Sequence, residues 1–357
     1  MIDFRYHLVS LISVFLALAV GIALGAGPLK ETIGDTLTGQ VEQLRTEKDE
    51  LRAQLEDANG GLDDARTYID AAGERLLGGT LQDRRVAVVV LGAVEEDERT
   101  AIDDRLAQAG ADVTAHATLT DAWFDPDLRS FRSQLASLLA EDVAEPPAAD
   151  ATLDEQLAQT LVDGLTGTDP ASPDALTADA ANILAILSEG DNPLISLADP
   201  VETGADAIVV VAVPSPPAEE STTPTPAADA SLQEAQLAVL EAAQDGSEGA
   251  VLADGPRGEG ALVDAVLADD ALAAALTTVS DADRVSGQVN VPLALAARIG
   301  GKNGHYGTSD AETPIPPAVE LAPVDRTPVV VDPETTGGTS ADPTGEPTTE
   351  ETSGAGG

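Results

Sequence analysis

The sequence predicts an α/β protein: an N-terminal transmembrane helix, a coiled-coil helix, and then a mostly parallel sheet with helices on its faces. Three observations carry this. Leu8 to Ala26 is apolar and uncharged, interrupted only by Ser10 and Ser13. From Leu37 apolar residues recur at alternating spacings of four and three. Beyond Arg85, short β-branched runs alternate with segments of helical character. The expected organisation is a membrane anchor over residues 1–28, a stalk over 29–80 and an α/β domain over 81–312. That domain would carry a helical insertion and a proline-rich loop near 214–228, and a disordered acidic tail would occupy 313–357.

The first segment is long enough, at ~1.5 Å per residue, to cross the hydrocarbon of a bilayer. A cleaved signal peptide is the rival reading, with Ala23 and Gly25 as the small residues before the cut. The apolar run is long for a signal peptide, and Arg5 is offset by Asp3, so an uncleaved anchor is preferred. Ser13, Ala17, Gly21 and Gly25 recur every four residues. Such a stripe lets two membrane helices approach closely, although glycine is common in membrane helices in any case.

The second segment sets Leu37, Val41, Leu44, Leu51, Leu55, Ala58, Leu62, Ala65, Ile69, Ala72 and Leu76 on one seam, broken by Lys48. Sustained a/d spacing is the coiled-coil pattern. With Val41 and Leu55 at a, Glu47 falls at g and Arg52 at the following e, an interchain salt bridge in a parallel dimer. The competing reading is an amphipathic helix lying on its own domain. Gly60-Gly61 weakens the middle, at roughly 1 kcal/mol for each glycine.

In the third region, Val86 to Leu91 reads as a buried strand, Glu95 to Ala109 as a helix and Asp112 to Thr118 as a second strand. This is a strand–helix–strand unit with the unbroken apolar runs of parallel strands. Ala207 to Val213, Ser231 to Ala243 and Gly249 to Ala253 repeat the pattern. Helices are expected between these halves at Leu128 to Leu139, Leu153 to Leu165 and Ala175 to Leu187. Trp123-Phe124 reads as core or edge-covering aromatics.

Charge and composition remove whole classes of function. With 63 acidic residues against 18 basic, the formal charge is −45. Such a surface repels nucleic acid and anionic headgroups, so no nucleic-acid partner is expected. The absence of cysteine excludes a disulfide framework, a zinc ribbon, an iron–sulfur cluster and a thiol nucleophile. The turn Gly92-Ala93-Val94-Glu95 lacks the glycines of a dinucleotide fingerprint and the lysine of a P-loop. Glu95, Glu96 and Asp97 would repel phosphate there, while complementing the helix dipole. With no Gly-x-Ser-x-Gly elbow either, no enzymatic role and no stably bound cofactor are expected.

The histidines His7, His116 and His305 are scattered. His305 stands in Gly301-Lys302-Asn303-Gly304-His305-Tyr306-Gly307-Thr308, a glycine-rich loop that presents an imidazole beside a phenol. His305 and Tyr306 are the candidate metal positions. Capping of the domain is the preferred explanation of the pair, with metal binding the alternative.

Two stretches carry a family resemblance. The first runs Arg5-Tyr6-His7-Leu8-Val9-Ser10-Leu11 into Val14-Phe15-Leu16-Ala17-Leu18-Ala19-Val20-Gly21-Ile22-Ala23-Leu24-Gly25, and the second is Gly304-His305-Tyr306-Gly307. With the order of parts between them, the chain resembles the MctB-type copper transporter proteins of actinobacteria over about residues 1–308. The resemblance implies a copper-transport or copper-resistance component of the cell envelope, with channel activity, outer-membrane placement and copper as the transported ion. The residues themselves offer neither the Cys/Met sets copper(I) prefers nor the imidazole clusters that suit copper(II). An indirect or assembly-based role, or a structural adaptor with no metal function, is the alternative. Expected partners are the lipid bilayer, unidentified envelope proteins and a second copy, engaged through Val41, Leu44, Leu51 and Leu55 and through Gly21 and Gly25. The C-terminal domain is expected outside the cytoplasm, in association with the inner or the outer membrane.

Overall fold

The computed structural model describes residues 4–26, 28–92, 94, 96–212, 226–258 and 260–328. The chain divides into two units at Ala71/Ala72.

The first unit is helical. Helix α1 (Phe4–Ala26) has every described side chain exposed, and Phe4–Gly25 has a mean hydropathy of 2.6. An apolar helix exposed all round suits a lipid surrounding. Ser13 is accommodated because its hydroxyl donates back to the carbonyls of Val9 at 2.8 Å and Ser10 at 2.9 Å. Helix α2 (Pro28–Leu77) is 50 residues long and opens on proline, which suits a first helical position. It runs unbroken through Gly60-Gly61. Its ion pairs, Arg52–Asp49 at 3.9 Å and Arg66–Asp63 at 3.3 Å, are exposed pairs within the helix.

The second unit is built on β1 (Arg85–Val90), α3 (Glu96–Gln108) and β2 (Asp112–Leu119). A helical stretch follows: α4 (Asp121–Phe124), a 3₁₀ turn, α5 (Arg129–Leu139) and α6 (Leu153–Thr166). Thr152 and Glu155 close a capping box at the start of α6. A short hairpin, β3 (Thr168–Asp169) with β4 (Ser172–Leu176), precedes α7 (Ala178–Ser188) and β5 (Ile195–Leu197). Then come β6 (Ala207–Ala212), α8 (Pro226–Asp245), β7 (Ala250–Asp254), α9 (Leu262–Ala268), α10 (Asp270–Ala275) and β8 (Thr277–Val279). The last elements are α11 (Val285–Ile299) and β9 (His305–Tyr306).

The main sheet has seven strands in the order β5-β2-β1-β6-β7-β8-β9. All neighbours are parallel except β5, which lies antiparallel on the edge against β2. Both faces are covered, which is why β1 after Arg85, and β6 throughout, are continuous runs of Val, Ile and Ala. Ala87, Val89, Ile208 and Val210 point into the core shared with α6, α8 and α9, where Leu157, Leu161, Val239 and Val263 are fully or almost fully buried. Val88 and Val209 point the other way and are also buried. That face is covered by α3 and α11. Trp123 is completely buried in the first core, as its aromatic character predicts.

The elements read from sequence appear with ends shifted by at most about five residues, the β3–β4 hairpin, α9 and α10 are additional to them, and three further regions differ. The short strands β5, β8 and β9 contain three, three and two residues, too few for any period to register. Helix α11 holds Gly287, Asn290 and Pro292 within its span, so its local preference argues against the helix that tertiary burial imposes. Finally, part of the expected tail is structured. Residues 313–328 lie on the domain: Thr313 N–H donates to the His305 carbonyl at 2.9 Å, and the Pro314 carbonyl accepts from Asn290 at 2.9 Å. Arg326, the last basic residue, pairs with Asp206 at 2.7 Å. Ion pairing and backbone bonds fix this stretch, where apolar content did not announce it. Similarly, Pro226, Ala227 and Ala228 of the expected proline-rich loop begin α8. Residues 214–225 and 329–357 lie outside the described residues.

Candidate functional site

In open α/β sheets ligands bind beyond the carboxyl ends of the strands, where the strand order reverses. Here it reverses between β1 and β6. The loops following those strands include residues 93, 95 and 213–225, outside the described residues. The described part of this edge lies beyond β7, β8 and β9.

Asp254, at the end of β7, is 2 % exposed. Its carboxylate accepts the backbone N–H groups of Gly255 at 2.8 Å and Val263 at 3.0 Å, tying β7 to the start of α9. Burial pushes its pKa up to about 6, against the lowering effect of those N–H groups. Asp281 follows β8 with φ of 57°, accepts from Thr308 at 3.0 Å and forms an ion pair with Arg284 at 3.3 Å. Glu312 accepts from Ser280 at 3.0 Å and from the Ser309 N–H at 3.0 Å. Arg257 is clamped by Asp264 and donates to the Asp310 carbonyl at 3.0 Å. The edge is thus a connected network of carboxylates, hydroxyls and two arginines, in which Glu312 Oε1 is the buried oxygen left without a hydrogen bond among the described residues.

His305 enters this edge from β9. Its Nε2 lies 3.0 Å from the Ala273 carbonyl, which only accepts, so Nε2 carries the proton. Nδ1 then accepts from the Thr278 hydroxyl at 3.0 Å. Burial lowers the pKa of His305, which fits a neutral imidazole with both nitrogens engaged. Tyr306 is 2 % exposed. Its ring folds over Gly304, where any Cβ would stand 2.5 Å from the phenol oxygen. The structure therefore brings the two sequence-predicted positions together as a clasp between β9, β8 and α10.

The other histidines are elsewhere. His116 on β2 binds Asp103 of α3 at 3.0 Å, and His7 is exposed on α1. Among the described residues, no three His, Cys, Asp or Glu side chains converge as a metal-binding group.

A cavity of about 1000 Å³ opens between α6 and α8 and the segment before α6. Glu145, Asp150, Glu155, Asp163, Glu241 and Asp245 line it, with no basic residue among its walls. Burial raises the pKa of Asp163, partly offset by the N–H of Ala144. Sequence reasoning missed this concavity and Asp254. Individual carboxylates mean little in so acidic a chain, and only the Ala-Asp-Gly-Pro strand ending marked Asp254.

Comparison with known proteins decides the family. The family model described as "Copper transport outer membrane protein, MctB" matches residues 1–317. The chain belongs to the MctB family. The protein named copper transporter MctB in Mycobacterium tuberculosis (strain ATCC 25618 / H37Rv) is 30 % identical over 323 residues, covering 86 % of this chain and 96 % of its own length. The Mycobacterium leprae (strain TN) protein of that name is 31 % identical over 326 residues, covering 88 % and 99 %. The MctB match spans the apolar helix, the long helix and the α/β unit together, so the family-level assignment to copper transport applies to the whole arrangement. The family description and α1 agree in membrane association.

Proposed function

We propose that this chain is a copper export or resistance component of the cell envelope, anchored by α1 with its α/β unit outside the cytoplasm. The observation carrying this is the family match across residues 1–317, together with near-complete coverage of relatives named copper transporters. Copper is cargo in this reading, not a resident cofactor. The charge of −45 favours cations near the protein over anions. One helix encloses no lumen, so a pore built from this chain requires several copies.

A second reading, a structural adaptor with no metal role, draws on one observation: no metal-binding group occurs among the described residues. Growth of a deletion strain across separate copper, zinc and detergent gradients distinguishes the two. Copper transport predicts hypersensitivity selective for copper, restored by the full chain. Unchanged copper tolerance with new detergent sensitivity would replace it with the adaptor.

A further inference from the structure

Between Leu37 and Leu62 the seam of α2 is uncovered. Leu37, Leu44, Leu51, Leu55 and Leu62 are 58–65 % exposed, and Val41 is 41 % exposed. Water-facing leucines in heptad register are costly to leave bare, and they are the pattern that knobs-into-holes packing covers.

The flanking positions specify what covers them. Val41, Lys48 and Leu55 occupy successive a positions, and Leu37, Leu44 and Leu51 occupy d. In that register the e positions carry Arg45, Arg52 and Arg66, and the g positions carry Gln40, Glu47 and Gln54. A parallel partner in register sets each g against the following e of the other helix. The pairs are then Gln40 with Arg45, Glu47 with Arg52 and Gln54 with Asn59, so no like charges face each other across the flanks, while Lys48 meets its own copy at a, at a cost in stability. An antiparallel partner instead sets e against e, bringing the arginines of two helices together. Among the described residues Arg52 has one ion pair, the exposed 3.9 Å contact to Asp49, which is weak enough for a partner's Glu47 to displace. Two copies inserted through α1 with one orientation also present α2 in the same direction. Val41 at a, Leu at d and a single Lys at a favour two strands.

We propose that α2 docks a second copy of this chain in a parallel, in-register, two-stranded coiled coil. This does not depend on the copper reading.

The natural chain contains no cysteine, which makes disulfide trapping in the full-length protein direct. Leu44→Cys and Leu51→Cys sit on the seam, and Thr46→Cys sits on the outer face. After mild oxidation in detergent, both seam variants should give disulfide-linked dimer in several-fold excess over Thr46→Cys. Arg52→Glu should lower the Leu44→Cys yield several-fold, and adding Glu47→Arg should restore it. Equal yields at all three positions, or trapping at only one seam position, would overturn the parallel arrangement. Sedimentation of the unmodified full chain as a monomer, or as three or more copies, would overturn the two-stranded one.

Discussion

Asp254 couples the chemistry of one residue to the stability of the fold. Its carboxyl holds a proton up to about pH 6 in the native state, against a reference value of 3.8. The folded state therefore binds more protons than the unfolded state between about pH 4 and 6, and stability falls as pH rises through that window. The expected loss attributable to Asp254 is about 1–3 kcal/mol. Unfolding titrations of the natural chain and Asp254→Asn, subtracted at each pH, isolate it from the other carboxylates; a flat difference would contradict the assignment. His305 was visible in sequence, but its role was not. Neither the Thr278 hydroxyl nor the Ala273 carbonyl that engages its ring can be inferred from the spacing of residues 301–308. His305→Ala removes both bonds and should cost about 1–3 kcal/mol in denaturant unfolding. As a clasp, it should leave copper tolerance unchanged at matched protein abundance; lost tolerance at equal abundance would make His305 a ligand.

Among the elements, the central strands were the most legible, because β1 after Arg85, and β6 throughout, are buried on both faces and so consist of unbroken apolar residues. Helix α11 was hidden for the opposite reason. Gly287 is there because a Cβ would stand 2.1 Å from the Asp281 carbonyl oxygen, so the turn after β8 and the first turn of α11 can approach only at glycine. Gly287→Ala must move backbone on one side or the other and should cost at least about 3 kcal/mol. Gly258→Ala, which meets nothing within 4 Å, should change stability by less than about 0.5 kcal/mol. Comparable thermal shifts for the two would refute this account of the β8–α11 junction. For α2, the seam and its charges were legible as a period, while its uncovered state required the exposures. Each seam leucine that becomes fully buried contributes about 1.5–3 kcal/mol, more than an exposed ion pair supplies, so burial drives association and the e and g charges set polarity.

Over the whole molecule, the sequence revealed the order of parts, from the apolar helix through the heptads to the alternating strands and helices. It did not reveal that residues 313–328 return across the domain, because Arg326 finds Asp206 only after folding. Nor did it reveal the acidic cavity, whose walls come from segments about a hundred residues apart. Family membership, carried by the match over residues 1–317, supplies what the side chains do not: a copper assignment without a copper-binding cluster among the described residues. The most direct test is cell-associated copper, measured by mass spectrometry in deletion, complemented and parental strains under mild copper load. The account predicts copper rising in the deletion and returning to the parental level with the full chain. Equal copper in all three strains would contradict it.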